Sequence, residues 1–170
     1  MKAEQLIKLG ISSCLLGNNV RYDGGTKLDN YILDTFGRIV EWVPICPEVE
    51  SGMPVPREPM QLVGDPAHPH LITIKSRMDR TDELVRWIKI TVRELEQSGI
   101  RGFILKARSP SCGTRSAELF SISGISVGVT SGLFAGAVLE RFTLIPVVDE
   151  EVLRDPDTGE RFLKQIQNKH

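Results

Sequence analysis

The stretch Leu9-Gly10-Ile11-Ser12-Ser13-Cys14-Leu15-Leu16-Gly17 decides how this chain folds. From Leu6 to Ser13 it has the short apolar run of a β-strand, and from Cys14 it breaks into a loop rich in Gly and Asn that extends to Asp29. A cysteine stands where strand gives way to loop. The arrangement returns twice. Val40 to Ile45 reads as a second strand and runs straight into Cys46. Arg101 to Lys106 reads as a strand with an apolar middle, and Cys112 follows it in the turn sequence Ser109-Pro110-Ser111-Cys112-Gly113. These three cysteines are 32 and 66 residues apart, so no local Cys-x-x-Cys clip joins them. Parallel strands would nevertheless bring all three to one sheet edge, the carboxyl end, which is where open α/β sheets bind ligands.

The segments between these strands fit such a sheet. Asn30 to Arg38 reads as a short helix with Asn30 near its N-cap. Cys46 to Pro69 holds six prolines and two glycines and reads as a long structured loop, a type that is usually functional. Leu71 to Lys75 is a third strand. Asp79-Arg80-Thr81-Asp82 then caps a helix reaching about Ser98, in which Leu84, Ile88, Val92 and Leu95 form an apolar stripe, and Gly99 ends it. Ala107 to Thr130 reads as loop, Ser131 to Glu140 as a helix of small residues, and Phe142 to Val148 as a fifth strand. The last twenty residues are polar with sparse apolar anchors (Val152, Leu153, Phe162, Leu163, Ile166) and read as a helix or docked tail. Alternating strand and helix predict parallel βαβ units. The expected fold is α/β: a single-domain, three-layer αβα sandwich over residues 1–170, with a mainly parallel, Rossmann-like sheet.

Bulk properties narrow the function. A chain of 170 residues buries roughly 70% of its unfolded surface as one domain. A net charge of −1 offers no field for steering an intact nucleic acid. No apolar run approaches the roughly 20 residues of a membrane span, and Met1 to Lys8 lacks the apolar core of a signal peptide. An odd number of cysteines argues against a full disulfide framework, so the expectation is a cytoplasmic protein with reduced thiols.

The plain reading of any one free cysteine is a small buried hydrophobe. Three cysteines, each in a loop mouth, favour a metal or cluster site. A Cys₃His zinc site would need His68 or His70, both in the proline-rich loop, since His170 is the last residue. A 4Fe-4S cluster normally takes four thiolates, so three would leave one iron open. Glu48, two residues after Cys46, is a candidate general acid or base, against the plain reading of a solvated loop charge. Ser109 and Ser111 flank Pro110, where serine also serves turns. Arg21, Arg57, Lys106 and Arg115 are cations of the same loops that could offset thiolate charge or hold an anionic substrate. Gly124, Gly128 and Gly132 recur at four-residue spacing but match no phosphate-binding motif.

Four motifs carry a resemblance. Ser12-Ser13-Cys14-Leu15-Leu16-Gly17 with Val20-Arg21-Tyr22-Asp23-Gly24-Gly25, Cys46-Pro47-Glu48-Val49, Pro54-Val55-Pro56-Arg57-Glu58-Pro59, and Lys106-Ala107-Arg108-Ser109-Pro110-Ser111-Cys112-Gly113 resemble, in order, those of the thiouracil desulfidase family. The resemblance covers about residues 9–146; residues 149–170 form an unmatched tail. It implies a 4Fe-4S cluster on Cys14, Cys46 and Cys112 whose open iron takes the sulfur of a thiolated pyrimidine. It also implies non-redox desulfuration of 2-thiouracil or a 4-thiouracil-type compound to uracil and hydrogen sulfide. Glu48 and Ser109 map onto the assisting glutamate and serine, with Ser111, Arg21, Arg57 and Lys106 as further candidates for catalysis or substrate binding. A thiouridine nucleoside or its monophosphate is the alternative substrate. A zinc- or thiol-based binding or redox-sensing module without turnover is the alternative of another class, and cysteines that simply pack in the core are a third possibility.

Overall fold

The computed structural model of the chain describes residues 5–168, so Met1 to Glu4, Lys169 and His170 lie outside the described residues. In order the elements are β1 (Ile7–Ser12), a 3₁₀ turn (Ser13–Leu16), α1 (Asn30–Phe36), β2 (Val40–Ile45), α2 (Pro47–Glu50), β3 (Met60–Val63), β4 (His70–Thr73), α3 (Thr81–Gln97), β5 (Phe103–Leu105), β6 (Ala117–Phe120), β7 (Ser126–Thr130), α4 (Leu133–Arg141), β8 (Val147–Asp149), a second 3₁₀ turn (Glu150–Arg154) and α5 (Pro156–Gln167).

The expected parallel sheet is present, with order β2-β1-β5-β8 and every pairing parallel. Alternation along β1 builds the layers, because successive side chains point to opposite faces. Leu9 and Ile11, with Ile104 of β5, pack against Ile32 and Phe36 of α1 and Phe162 and Ile166 of α5. The opposite face, with Phe103, Leu105 and Ile45, packs against α3 and α4 through Leu84, Ile88, Phe134 and Val138. Gly10 lies on this second face at the Phe103 register, and a Cβ there would collide with the Phe103 ring. The apolar stripe on α3 is buried at all four expected positions. The tail is a docked helix: Asp155 caps α5, Pro156 opens it, and Leu153, Phe162 and Ile166 are buried, whereas Val152 is exposed.

The expectation fell short in the two long loops. Leu71 to Lys75 does not join the parallel sheet. It forms β4 of a second sheet, order β4-β3-β6-β7, in which β3 pairs parallel with β6 while the outer pairings are antiparallel. β3 and α2 lie inside the proline-rich segment read as loop, and β6 and β7 inside Ala107 to Thr130. Prolines and serines masked strands of only four or five residues, too short for a periodic signal. Asp29, rather than Asn30, caps α1, its carboxylate accepting from the Ile32 amide at 3.2 Å.

Candidate functional site

All four parallel strands deliver site residues at their carboxyl ends. Cys14 follows β1, Cys46 follows β2, Lys106 and the Cys112 loop follow β5, and Glu150 follows β8. β2 and β5 lie on opposite sides of β1, so the loops leaving their ends diverge and open a crevice. The crevice is a cavity of about 980 Å³ lined by Cys14, Cys46 and Cys112 together with Glu48, Ser109, Ser111, Arg21, Arg57 and Lys106. Tertiary structure thus brings the sequence candidates together. Arg115 is not part of the lining, and neither are His68 and His70; His70 instead pairs with Asp79 at 2.8 Å. The Cys₃His zinc arrangement with His68 or His70 therefore lacks its fourth ligand, and His170 lies outside the described residues.

Each cysteine is held by a different local device. Cys14 sits in the 3₁₀ turn after β1, and its carbonyl accepts from the amides of Gly17 and Lys27. Cys46 is the N-cap of α2 with Pro47 at N1, and its amide donates to Glu50 at 2.6 Å. The Cys112 loop rests on the start of α4. The Pro110 carbonyl accepts from the Leu133 amide, and the Ser111 carbonyl accepts from the amides of Phe134 and Ala135. Those amides have no partner within the helix, so the loop satisfies them. Gly132 explains the last glycine of the four-residue series: a Cβ there would stand 2.7 Å from the Ser111 carbonyl oxygen and 2.8 Å from the Cys112 nitrogen.

Burial dominates the thiol chemistry. It pushes the Cys14 thiol up to about 11, with the Cys46 charge adding to the rise and Lys106 and Arg21 opposing it. Burial likewise raises the Cys46 thiol, against the Val49 amide at the α2 N-terminus and Arg57. The buried Cys112 thiol rises furthest, opposed by the neighbouring Ser12 hydroxyl. Ser12 also accepts from the Lys106 amide at 2.9 Å and so ties β1, β5 and the cysteine together. All three cysteines are free.

The cavity also holds a chain of hydrogen-bonded side chains. Glu48, in the first turn of α2, is buried. One of its oxygens accepts from the Ser111 hydroxyl at 2.8 Å, and the other from Arg57 Nε at 2.7 Å and Arg57 Nη2 at 2.6 Å. Arg57 is fixed in turn by the carbonyls of Val20 and Pro54 and, through its own amide, by that of Tyr22. The Ser109 hydroxyl makes a different set of bonds, accepting from the amides of Ser111 and Cys112 at 3.2 and 3.1 Å. Two groups missed in the sequence also face the cavity. The carboxylate of Glu150, buried at the start of the second 3₁₀ turn, accepts from Lys106 Nζ at 2.5 Å and the Ala107 amide at 2.6 Å. Asp29 accepts from Arg154 at 2.8 Å. Glu150 had a positional signal, since it directly follows a strand as Cys46 does; Asp29, the N-cap of α1, had none.

The donor set suits an iron–sulfur cluster. Three soft, free thiols line one cavity, and cations oppose the charge their thiolates would carry. A single zinc needs its sulfurs within about 4 Å of one another, given Zn–S bonds near 2.3 Å. Among the described residues no three His, Cys, Asp or Glu side chains are grouped to hold a metal ion in that way. A cubane takes each ligand on a different iron and spreads them more widely.

Fold and cavity define an α/β protein that presents three thiols and a buried carboxylate at the carboxyl edge of a parallel sheet. The chain belongs to the 2-thiouracil desulfurase family, whose model matches residues 9–150. It is similar to a solved structure of the [4Fe-4S]-dependent thiouracil desulfidase TudS, with 33% identity and a TM-score of 0.70 over 91% of this chain and 98% of that one. It is also 30% identical to the uncharacterized protein YbbK of Bacillus subtilis (strain 168) over 135 residues, 75% of this chain and 89% of the relative. Among the described residues no helix is long and apolar enough to cross a membrane.

Proposed function

We propose that the protein is a cytoplasmic, single-domain desulfidase that converts a thiolated uracil and water to uracil and hydrogen sulfide without net oxidation or reduction. One carbon–sulfur bond breaks and one carbon–oxygen bond forms. The observation that carries this reading is the convergence of Cys14, Cys46 and Cys112 on one cavity with Glu48 and without a fourth thiol. A 4Fe-4S cluster held by these three cysteines would supply a soft Lewis acid for the thiocarbonyl sulfur.

The chain's own residues supply the proton chemistry. Glu48 accepts a proton from the attacking water, and Ser111, 2.8 Å from that carboxylate, passes it on toward the departing sulfur, so that both protons of the water leave as hydrogen sulfide. Arg57 holds the second carboxylate oxygen and so orients the first. Ser109 fixes the turn that presents Cys112. Lys106 and Arg21 oppose the negative charge of the thiolates.

A thiouridine or its monophosphate is the second reading, favoured by a specific observation. A volume of about 980 Å³ exceeds the need of a free pyrimidine, and Lys27, Arg108 and Arg154 add further cations to its lining. The test is sulfide release by anaerobically reconstituted protein from 2-thiouracil, 4-thiouracil, 4-thiouridine and 4-thiouridine monophosphate, side by side. The expected result is sulfide with the matching uracil compound. Protein that carries iron in stoichiometric amounts yet releases no sulfide from any of the four overturns the reading. Serine in place of any one of the three cysteines should abolish cluster assembly.

A further inference from the structure

Among the described residues the cavity is lined by a single aromatic residue, Tyr22. The chain's other rings are engaged elsewhere. Five phenylalanines and Trp87 pair ring to ring away from the cavity. The Tyr31 hydroxyl donates to the Leu153 carbonyl at 3.1 Å. Tyr22 is 40% exposed in a concave wall, where a ring gains by being covered. Local structure holds it beside the residues of the proposed chemistry. Arg21 to Gly24 form a turn closed by the Gly24 amide on the Arg21 carbonyl at 2.9 Å, with Gly24 at φ +79°. The Tyr22 carbonyl accepts from the Arg57 amide at 2.8 Å, and the guanidinium of the same Arg57 grips Glu48. One residue therefore fastens the Tyr22 peptide to the carboxylate. Arg21 lies with its guanidinium 5.5 Å from the centroid of the Tyr22 ring and also opposes the charge at Cys14.

We propose that Tyr22 is the surface on which the substrate ring stacks, so that the site selects flat, aromatic thiocarbonyl compounds; this rests on the reading of the protein as a desulfidase of thiolated uracil. The faces of a pyrimidine carry no hydrogen-bonding group, and proteins recognise them with aromatic side chains or guanidinium planes. Arg21 sits over one face of the Tyr22 ring, which leaves the other face for the pyrimidine. Stacking fixes the plane of the pyrimidine and leaves its edges free to meet the thiols' side of the cavity and the pair Glu48 and Ser111. Tyr22 thus sets affinity and orientation and takes no part in proton transfer.

The test measures binding of the sulfur-free products uracil and uridine monophosphate to reconstituted protein by calorimetry, and KM and kcat for sulfide release from 2-thiouracil and 4-thiouridine monophosphate. Tyr22→Ala should weaken binding of the product that wild type holds more tightly by roughly 5- to 150-fold, the worth of one base–aromatic stack, and raise KM by a similar factor with kcat per cluster changed far less. Tyr22→Leu keeps apolar bulk without a flat face and should lose binding as alanine does, which guards against a folding defect in the smaller variant. Tyr22→Phe keeps the ring and should retain binding within a few-fold. Equal binding by wild type and Tyr22→Leu overturns the proposal, as does a fall in kcat with KM unchanged. Wild type that binds neither product overturns it also. Binding that depends on the Tyr22 ring in a protein that releases no sulfide upholds the stacking and overturns the desulfidase reading instead.

Discussion

Ser111→Ala is the sharpest perturbation of the site. The Ser111 hydroxyl is enclosed and donates to a buried carboxylate at 2.8 Å. Hydrogen bonds to charged groups contribute about 1.5–3 kcal/mol, so the iron-free variant should lose roughly 2 kcal/mol of stability. General acid–base assistance contributes about 10²–10⁴-fold, so kcat should fall by at least about 100-fold at equal cluster content. Ser109→Ala removes only an acceptor for two amides at 3.1–3.2 Å. It should cost about 1 kcal/mol and lower iron retention, with kcat per cluster changed only a few-fold. A double-mutant cycle decides whether Ser111 acts through the carboxylate. In a Glu48→Gln background Ser111→Ala should reduce kcat little further, giving a coupling of about 2 kcal/mol. Sulfide release normalised to bound iron, with urea denaturation of the iron-free proteins, measures every term. Strict additivity of the two substitutions, or a larger loss of kcat per cluster in Ser109→Ala than in Ser111→Ala, refutes the relay.

Arg57→Met leaves the Glu48 carboxylate without its buried counter-ion and should destabilise the protein by about 3 kcal/mol, the low end for breaking a buried pair; an unchanged urea midpoint contradicts this. The Cys14 thiol is held near 11 in the folded state against an ordinary 9.0, so the folded form keeps its proton longer than the unfolded form. Stability of the iron-free protein should then be flat below about pH 9 and fall by roughly 3 kcal/mol as pH rises to about 11, less steeply in Cys14→Ser, as read from urea midpoints across that range. Gly132→Ala should force the Ser111–Cys112 peptide off the start of α4, costing about 1–3 kcal/mol and lowering iron bound per chain; full iron loading at wild-type stability removes this role for Gly132.

The amino-acid sequence by itself pointed to the parallel sheet and to nine residues that the fold brings to one cavity. Apolar runs at β1, β2 and β5, together with the stripe on α3, are strong signals, and in β1, β5 and α3 they come mostly from buried residues. The cysteines were legible because each directly ends or closely follows such a run, and Glu48 because it follows Cys46 in a motif. The second sheet was not legible. β3, β6 and β7 have four or five residues each, among prolines, serines and glycines, and their pairing partners lie far away in the chain. The roles within the site also waited for tertiary structure. Ser109 and Ser111 are two residues apart and alike in sequence, yet the turn sends one hydroxyl back to its own backbone amides and the other across to Glu48, 63 residues away. Glu150 reaches Lys106 across 44 residues in the same way. Local pattern fixes which face a side chain occupies, but only the folded chain sets which two side chains meet, because hydrogen bonds between distant segments depend on backbone positions accurate to a few tenths of an ångström.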